Sequence, residues 1–151
     1  RKMSSTLCTR SSGMARSVVS RRAIRVQAAA WTKVGSTTGL KSNGGKQVVE
    51  VGGQKVLLVE LGGTVRAVSN KCSHLGLPLV GKTAMFQADI KDKCVVCPAH
   101  GTYFDLETGA VKGEWCPKLP NLPLVGKGPA QKPLPTFQVR VSDAGEIEVY
   151  V

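Results

Sequence analysis

Two short stretches of this chain carry residue types able to hold a metal centre: Cys72-Ser73-His74 and Cys97-Pro98-Ala99-His100. Each offers one thiol and one imidazole. Two thiolates and two neutral imidazoles suit a two-iron, two-sulfide cluster in which both cysteines bind one iron and both histidines the other. A Cys and a His one or two residues apart on a tight loop can reach both irons of so small a cluster, and a second loop completes the set. The flanking residues are those of tight loops. Gly76 and Pro78 follow the first pair, and Pro98 and Gly101 bracket the last histidine, where backbone must approach sulfide and offer N–H donors. Zinc is the competing reading, since Cys94, Cys97 and His100 include a Cys-x2-Cys spacing. It leaves Cys72 and His74 without a role. A plainer reading, buried cysteines and surface histidines with no metal, requires these four residues and their glycines and prolines to coincide by chance.

Over roughly residues 31–151 the chain resembles the Rieske-domain proteins. The resemblance rests on Cys72-Ser73-His74-Leu75-Gly76-Leu77-Pro78-Leu79, on Cys97-Pro98-Ala99-His100-Gly101-Thr102-Tyr103-Phe104-Asp105-Leu106-Glu107-Thr108-Gly109, and on a closing Gly128-Pro129-Ala130 with Pro133-Leu134-Pro135. It implies an all-β fold, a Rieske-type antiparallel β-sandwich with a small cluster-binding subdomain. It also implies one [2Fe-2S] cluster per chain, with Cys72 and Cys97 on one iron and His74 and His100 on the other.

The elements that must position these residues read as successive short strands. Trp31 to Val34 opens the series. Gln47–Val51 and Lys55–Glu60 follow, separated by the hairpin dipeptide Gly52-Gly53, and Gly62-Gly63 turns into Thr64–Ser69, where Val65 and Ala67 share one face. That last strand delivers the first ligand loop. Ala84–Lys91 and Cys94–Val96, joined by Lys91-Asp92-Lys93, read as two strands leading to the second. Thr102–Asp105 with Ala110-Val111 forms a short hairpin, and Phe137–Val141 with Ile147–Val151 closes the larger sheet around Asp143-Ala144-Gly145. No segment has the length and period of a helix.

Two departures from the family pattern abut the ligand loops. The interval between His74 and Cys97 holds 22 residues, several more than is usual, with the excess around Lys82–Asp92. Gly113 to Lys127, rich in proline and apolar residues and carrying Trp115, stands where most small relatives pass almost directly to Gly-Pro-Ala. Two readings of it stand: a loop packed back to shield the cluster, or a partner-docking surface beside exposed histidines. High-potential relatives staple their loops with a disulfide from positions that fall here at Leu77 and Ala99, so the resemblance implies no staple. Of the two hydroxyls those relatives direct at sulfur, Thr102 keeps one and Phe104 lacks the other. Fewer hydrogen bonds to sulfur imply a midpoint low in the Rieske range of about −150 to +300 mV.

Net charge is +11, unevenly placed. Residues 1–30 carry seven basic and no acidic side chains, while the other fourteen basic and ten acidic residues give +4. A leader rich in Ser, Thr, Ala and Arg, free of acids and without a secretory apolar run, is expected to be a disordered organelle transit peptide. Cleavage is expected near Ala28–Trp31. The plastid (stroma or thylakoid-associated) is favoured over the mitochondrion, and a nucleic-acid-binding tail would more often be rich in Lys and Gly. The chain opens on Arg1 rather than Met, so its natural start is expected upstream. Apolar runs such as Val56–Val59 are strand-sized, far short of the roughly 20 residues of a spanning helix. Of the five cysteines, Cys8 lies in the leader, and Cys94 and Cys116 are expected to be buried thiols rather than a disulfide pair.

With only two histidines, both assigned to the cluster, none remains for the two-histidine, one-carboxylate iron site of an oxygenase. The leading expectation is therefore a small one-electron carrier of the plastid, serving a protein redox partner (a reductase or an acceptor), with its imidazole edges as electron port. An auxiliary or assembly protein is the second, because the leader and insertions are similar to thylakoid-associated Rieske-like proteins linked to photosystem II. A third is the ferredoxin-like subunit of a reductase or oxygenase complex.

Overall fold

The computed structural model describes residues 30–124 and 126–151; the leader read over residues 1–30, Cys8 included, lies outside these but for Ala30. From Trp31 onward the chain is built of short antiparallel strands. Six of them form one sheet: β1 (Trp31–Ser36), β2 (Lys46–Val51), β3 (Gln54–Leu61), β4 (Thr64–Ser69), β9 (Thr136–Val141) and β10 (Glu146–Tyr150). Its order is β1-β10-β9-β4-β3-β2, and the halves β1-β10-β9 and β4-β3-β2 are joined through just two residue pairs, Ala67↔Phe137 and Val68↔Thr136. So thin a seam lets the sheet fold over, and the inner faces of the halves meet as a sandwich. Val56, Leu58, Val65 and Ala67 from one half pack there with Ile147 and Val149 from the other.

β3 shows why the pattern Val56-Leu57-Leu58-Val59 is apolar throughout rather than alternating. All four side chains are buried, Val56 and Leu58 inside the sandwich and Leu57 and Val59 on its other face. A strand covered on both faces reads as a continuous apolar run. Leu57, Val59 and Val68 present that second face to a smaller sheet, β5-β6-β7-β8, formed by Asp89–Lys91, Cys94–Val96, Tyr103–Asp105 and Val111–Lys112. The core between the sheets contains Cys72 and Cys97 together with Leu79, Val95, Phe104, Leu106 and Leu134. The candidate ligands thus grow from a core shared by the sandwich and the subdomain. Burial of each aliphatic side chain there contributes about 1.5–3 kcal/mol.

Two local readings of the sequence are corrected. A six-residue helix, α1 (Thr37–Ser42), follows β1; Ser36 caps it by accepting a hydrogen bond from the Gly39 N–H at 3.2 Å, and it buries Leu40 alone. One buried residue leaves no periodicity to read. The strand expected over Ala84–Lys91 exists only as β5. Residues 81–86 instead close a loop through Gly81 N–H to the Phe86 carbonyl at 2.7 Å, leaving Met85 exposed. Among the described residues no helix is long and apolar enough to cross a membrane.

Candidate metal centre

The first candidate loop leaves the end of β4 and the second leaves β6, and the two loops repeat one hydrogen-bond scheme. Cys72 N–H donates to the Leu77 carbonyl (2.8 Å) and Gly76 N–H to the Cys72 carbonyl (2.9 Å); Cys97 N–H donates to the Thr102 carbonyl (2.9 Å) and Gly101 N–H to the Cys97 carbonyl (2.8 Å). Each loop turns through a glycine in the left-handed region, Gly76 at φ +72° and Gly101 at φ +76°. A Cβ at Gly76 would lie 2.9 Å from Lys71 Cε, and one at Gly101 would crowd Pro117 and Lys118 at 3.2 Å.

These loops bring the four predicted residues to one place. The ligand atoms of Cys72, Cys97 and His100 all lie within 4.8 Å of one another, and Cys72 Sγ is 3.0 Å from His100 Nε2. The rings of His74 and His100 stand edge to face, 4.8 Å apart between centroids. Hydrogen bonding to Cys72 draws the Cys97 thiol down to about 4, helped by His100, while the same contact and burial push Cys72 well above the ordinary thiol range. Thiolate is the form that binds metal, and the contact between the two thiols favours it on Cys97. His74 is equally suggestive. Its Nε2 is 3.1 Å from the Lys127 carbonyl, which fixes that nitrogen as the N–H donor, and its buried Nδ1 has no hydrogen-bond partner. A buried imidazole nitrogen with a free lone pair beside paired thiols is what a metal requires and what ordinary packing avoids. Cys94, by contrast, lies in neither metal-compatible grouping found among the described residues. It sits on β6 opposite Asp105, its thiol pushed up by burial, so the zinc reading built on it is not favoured.

One expectation about this site is overturned. The imidazole edges are not exposed: His74 is 7% and His100 1% accessible. The cause is the Gly113–Lys127 insertion, which folds back as a cap. The Trp115 indole lies across both imidazoles, with ring centroids 5.3 Å from His74 and 6.0 Å from His100, and its Nε1 donates to the Pro129 carbonyl at 3.2 Å. Cys116 is fully buried behind it, within 4.8 Å of the ligand nitrogens of both histidines, and adopts φ +51°. Its N–H donates to Thr102 Oγ1 at 2.9 Å, and that hydroxyl also lies 2.8 Å from His100 Nδ1. Thr102, read as a sulfur-directed donor, also ties the cap to a histidine, and its hydroxyl lies 3.7 Å from Cys116 Sγ. The shielding reading of the insertion accounts for its inner side, while Leu122 and Leu124 remain exposed at its tip. Sequence reasoning marks Trp115 but misses Cys116 and Lys127, whose contributions are a backbone N–H and a backbone carbonyl. Cys94 and Cys116 are both free and buried.

The turn after β7 braces the second loop from below. Asp105 Oδ1 accepts from Glu107 N–H and Thr108 N–H, both at 2.9 Å, and from Thr108 Oγ1 at 3.1 Å, while Lys112 Nζ stands 2.6 Å from Oδ2. The lysine, followed by these donors, holds the carboxyl well below the usual carboxylate range.

Fold and site together define a β-sandwich protein presenting paired Cys/His loops on a capped subdomain. Comparison with known proteins places it. The family model described as the Rieske [2Fe-2S] domain matches residues 30–138, and the chain belongs to that family. It is 30% identical over 102 residues to the ferredoxin subunit of anthranilate 1,2-dioxygenase from Burkholderia cepacia, covering 67% of this chain and 75% of that one. It is 40% identical over 67 residues to apoptosis-inducing factor 3 of Homo sapiens, but those residues are 44% of this chain and only 10% of that protein. Among solved structures, the ferredoxin of carbazole 1,9a-dioxygenase from Nocardioides aromaticivorans superposes with a TM-score of 0.60 at 25% identity, covering 80% of this chain and 96% of that one. The cyanobacterial plasma membrane Rieske protein of Synechocystis gives 0.52 at 27% identity, covering 80% and 99%. The [2Fe-2S] cofactor of the family fits the residues present, on the unpartnered His74 Nδ1 and the convergent thiols.

Proposed function

We propose that Cys72 and Cys97 hold one iron and His74 and His100 the other, and that the chain is a one-electron carrier between protein partners. The observation that carries this reading is the buried convergence of two thiols and two imidazoles, one with a free Nδ1, on loops of matching hydrogen-bond pattern. When bound, such a cluster takes up one electron and gives it back. The chain's own residues do the rest. Lys127 fixes the tautomer of His74, Thr102 steadies His100 and the cap, and Trp115 excludes water from both rings. Similarity to the ferredoxin subunit of anthranilate 1,2-dioxygenase supports a ferredoxin-like role feeding an oxygenase or reductase complex. The acid-free leader supports a plastid location, and its insertions keep a photosystem II auxiliary role as the alternative.

EPR of the dithionite-reduced protein and a redox titration test the core of this reading. A Rieske-type signal that disappears in Cys72→Ser and shifts in His74→Cys is expected, with a midpoint low in the family range of about −150 to +300 mV; a value above about +200 mV overturns the argument from missing sulfur donors. Zinc in place of iron discards the carrier. Expression of the full chain with a C-terminal fluorescent tag in plant or algal cells tests the plastid, and stable co-purification with photosystem II would move the assignment to the auxiliary role.

A further inference from the structure

The charges of the described chain are not spread evenly around the cluster loops. Residues 31–151 carry fourteen basic and ten acidic side chains. The segments that build the cluster end, residues 70–78, 97–102 and 113–135, hold Lys71, Lys118, Lys127 and Lys132 against Glu114 alone. The remaining ten basic and nine acidic residues nearly cancel. Three quarters of the excess positive charge of residues 31–151 therefore belongs to the face around the histidines.

Each of these lysines is tied to a ligand loop by a contact. Lys71 precedes Cys72 and lays its stem against Gly76; Lys118 packs over Gly101 and donates from Nζ to the Pro98 carbonyl at 3.3 Å. The Lys132 carbonyl accepts from Ser73 Oγ at 2.9 Å, and the Lys127 carbonyl holds His74. Glu114 is already engaged by Lys127. Lys71, Lys118 and Lys132 are exposed, and none has a carboxylate within ion-pairing distance among the described residues. Exposed Leu75 and Leu122 stand on the same loops. Three free cations surrounding a cap of Trp, Pro and Leu make a centre that excludes water and a rim of one sign. Such a rim accelerates encounter with an oppositely charged surface and slows approach of a like one.

We propose that the capped cluster end is a docking face for an acidic protein bearing a one-electron centre, steered by Lys71, Lys118 and Lys132. The proposal rests on the carrier reading above and specifies the chemistry of its partner. One electron passes between the partner's centre and the cluster; no bond is made or broken, and the indole of Trp115 lies in the path without changing oxidation state.

The test uses the cluster-loaded protein, first reduced with dithionite and freed of excess reductant, in stopped flow against two small oxidants of opposite charge, hexacyanoferrate(III) and hexaammineruthenium(III), followed by the visible absorption of the cluster. At low salt the preference for the anion, relative to their reactivity ratio with free reductant, should be about tenfold or more and should shrink as salt shortens the Debye length from about 30 Å at 0.01 M. Lys71→Glu/Lys118→Glu/Lys132→Glu should reverse the preference, and the corresponding Gln variant should abolish it with the EPR spectrum unchanged. Three reversals of equal net charge on the far strands and helix, Lys33→Glu, Lys41→Glu and Arg140→Glu, should leave most of it intact. Equal effects of the two triple variants overturn the local rim. Binding of the protein to vesicles of anionic lipid through the same three lysines overturns a protein partner in favour of a membrane surface. Failure to exchange electrons with either oxidant removes the carrier reading itself, whereas exchange without charge preference removes the docking proposal alone.

Discussion

Replacing Gly109 by Ala should damage this protein far more than the same change at Gly53, although both glycines occupy nearly the same backbone conformation, φ +73° and φ +76°. In the left-handed region an alanine costs about 1–2 kcal/mol at either site. The surroundings differ. A Cβ at Gly53, in the β2–β3 hairpin, meets nothing within 4 Å, whereas one at Gly109 falls 1.9 Å from the Leu134 carbonyl oxygen and 3.1 Å from its carbon. Those are backbone atoms and cannot rotate aside. The closing strip must retreat by more than an ångström, breaking the 2.8 Å hydrogen bond from Leu134 N–H to the Gly109 carbonyl and drawing the fully buried Leu134 from the core. A lost buried hydrogen bond costs about 1–3 kcal/mol, so Gly109→Ala should lose roughly 2 kcal/mol or more beyond Gly53→Ala, about 6–10 °C in a thermal scan. The strip also carries Gly128 against His74 and the Lys132 carbonyl on Ser73, so cluster loss should accelerate with it. Thermal unfolding of both variants at one scan rate, with cluster absorbance in parallel, measures this. Equal losses would refute the claim that the closing strip is clamped to the Thr108-Gly109 turn.

Trp115→Ala should leave a loaded cluster with its EPR signal but bleach several-fold faster with an iron chelator, since both imidazoles lose their cover; an unchanged rate would show that the cap does not exclude water. Thr102→Val removes the acceptor for the Cys116 N–H and should destabilise the fold by about 1–3 kcal/mol, read by denaturant unfolding, because a buried donor is left unpaired. Asp105→Asn should cost stability equally at pH 7 and pH 5. The carboxyl is held below its usual value in the folded chain, so its contribution is fully present above the unfolded pKa of about 3.9 and is lost only as pH falls through the lower folded value. A penalty already vanishing between pH 7 and 5 contradicts this assignment.

The strands are legible in the sequence because their residues obey a period that packing enforces. Gly52-Gly53 and Gly62-Gly63 punctuate the apolar runs, and both pairs do turn hairpins, with all four glycines at positive φ. The ligand loops are legible for a different reason: their chemistry confines each to a Cys, a His and a left-handed glycine, and the structure places Gly76 and Gly101 in that role. Where the reading fails, no side-chain pattern exists. α1 buries one residue, and Ala84–Phe86 is apolar enough for a strand but has no partner strand to pair with.

The cap is the hardest part to read, and the reason is physical. Its path is set by backbone groups that any residue could supply, the Lys127 carbonyl on His74 Nε2, the Pro129 carbonyl on the Trp115 indole, and the Cys116 N–H on Thr102. Only glycine has a visible signature here. Gly128, at φ +89°, lies so near the ring that a Cβ would stand 2.9 Å from His74 Nε2. Gly128→Ala therefore tests the cap without replacing a ligand, its Cβ pressing on the His74 ring and on the carbonyl that holds it. It should displace the Lys127 carbonyl from His74, shift the midpoint and the EPR g values while all four candidate ligands remain, and leave β-sheet content unchanged by circular dichroism. A variant with unaltered midpoint and spectrum would mean that the carbonyl does not bear on the histidine, and the cap would then be a cover alone.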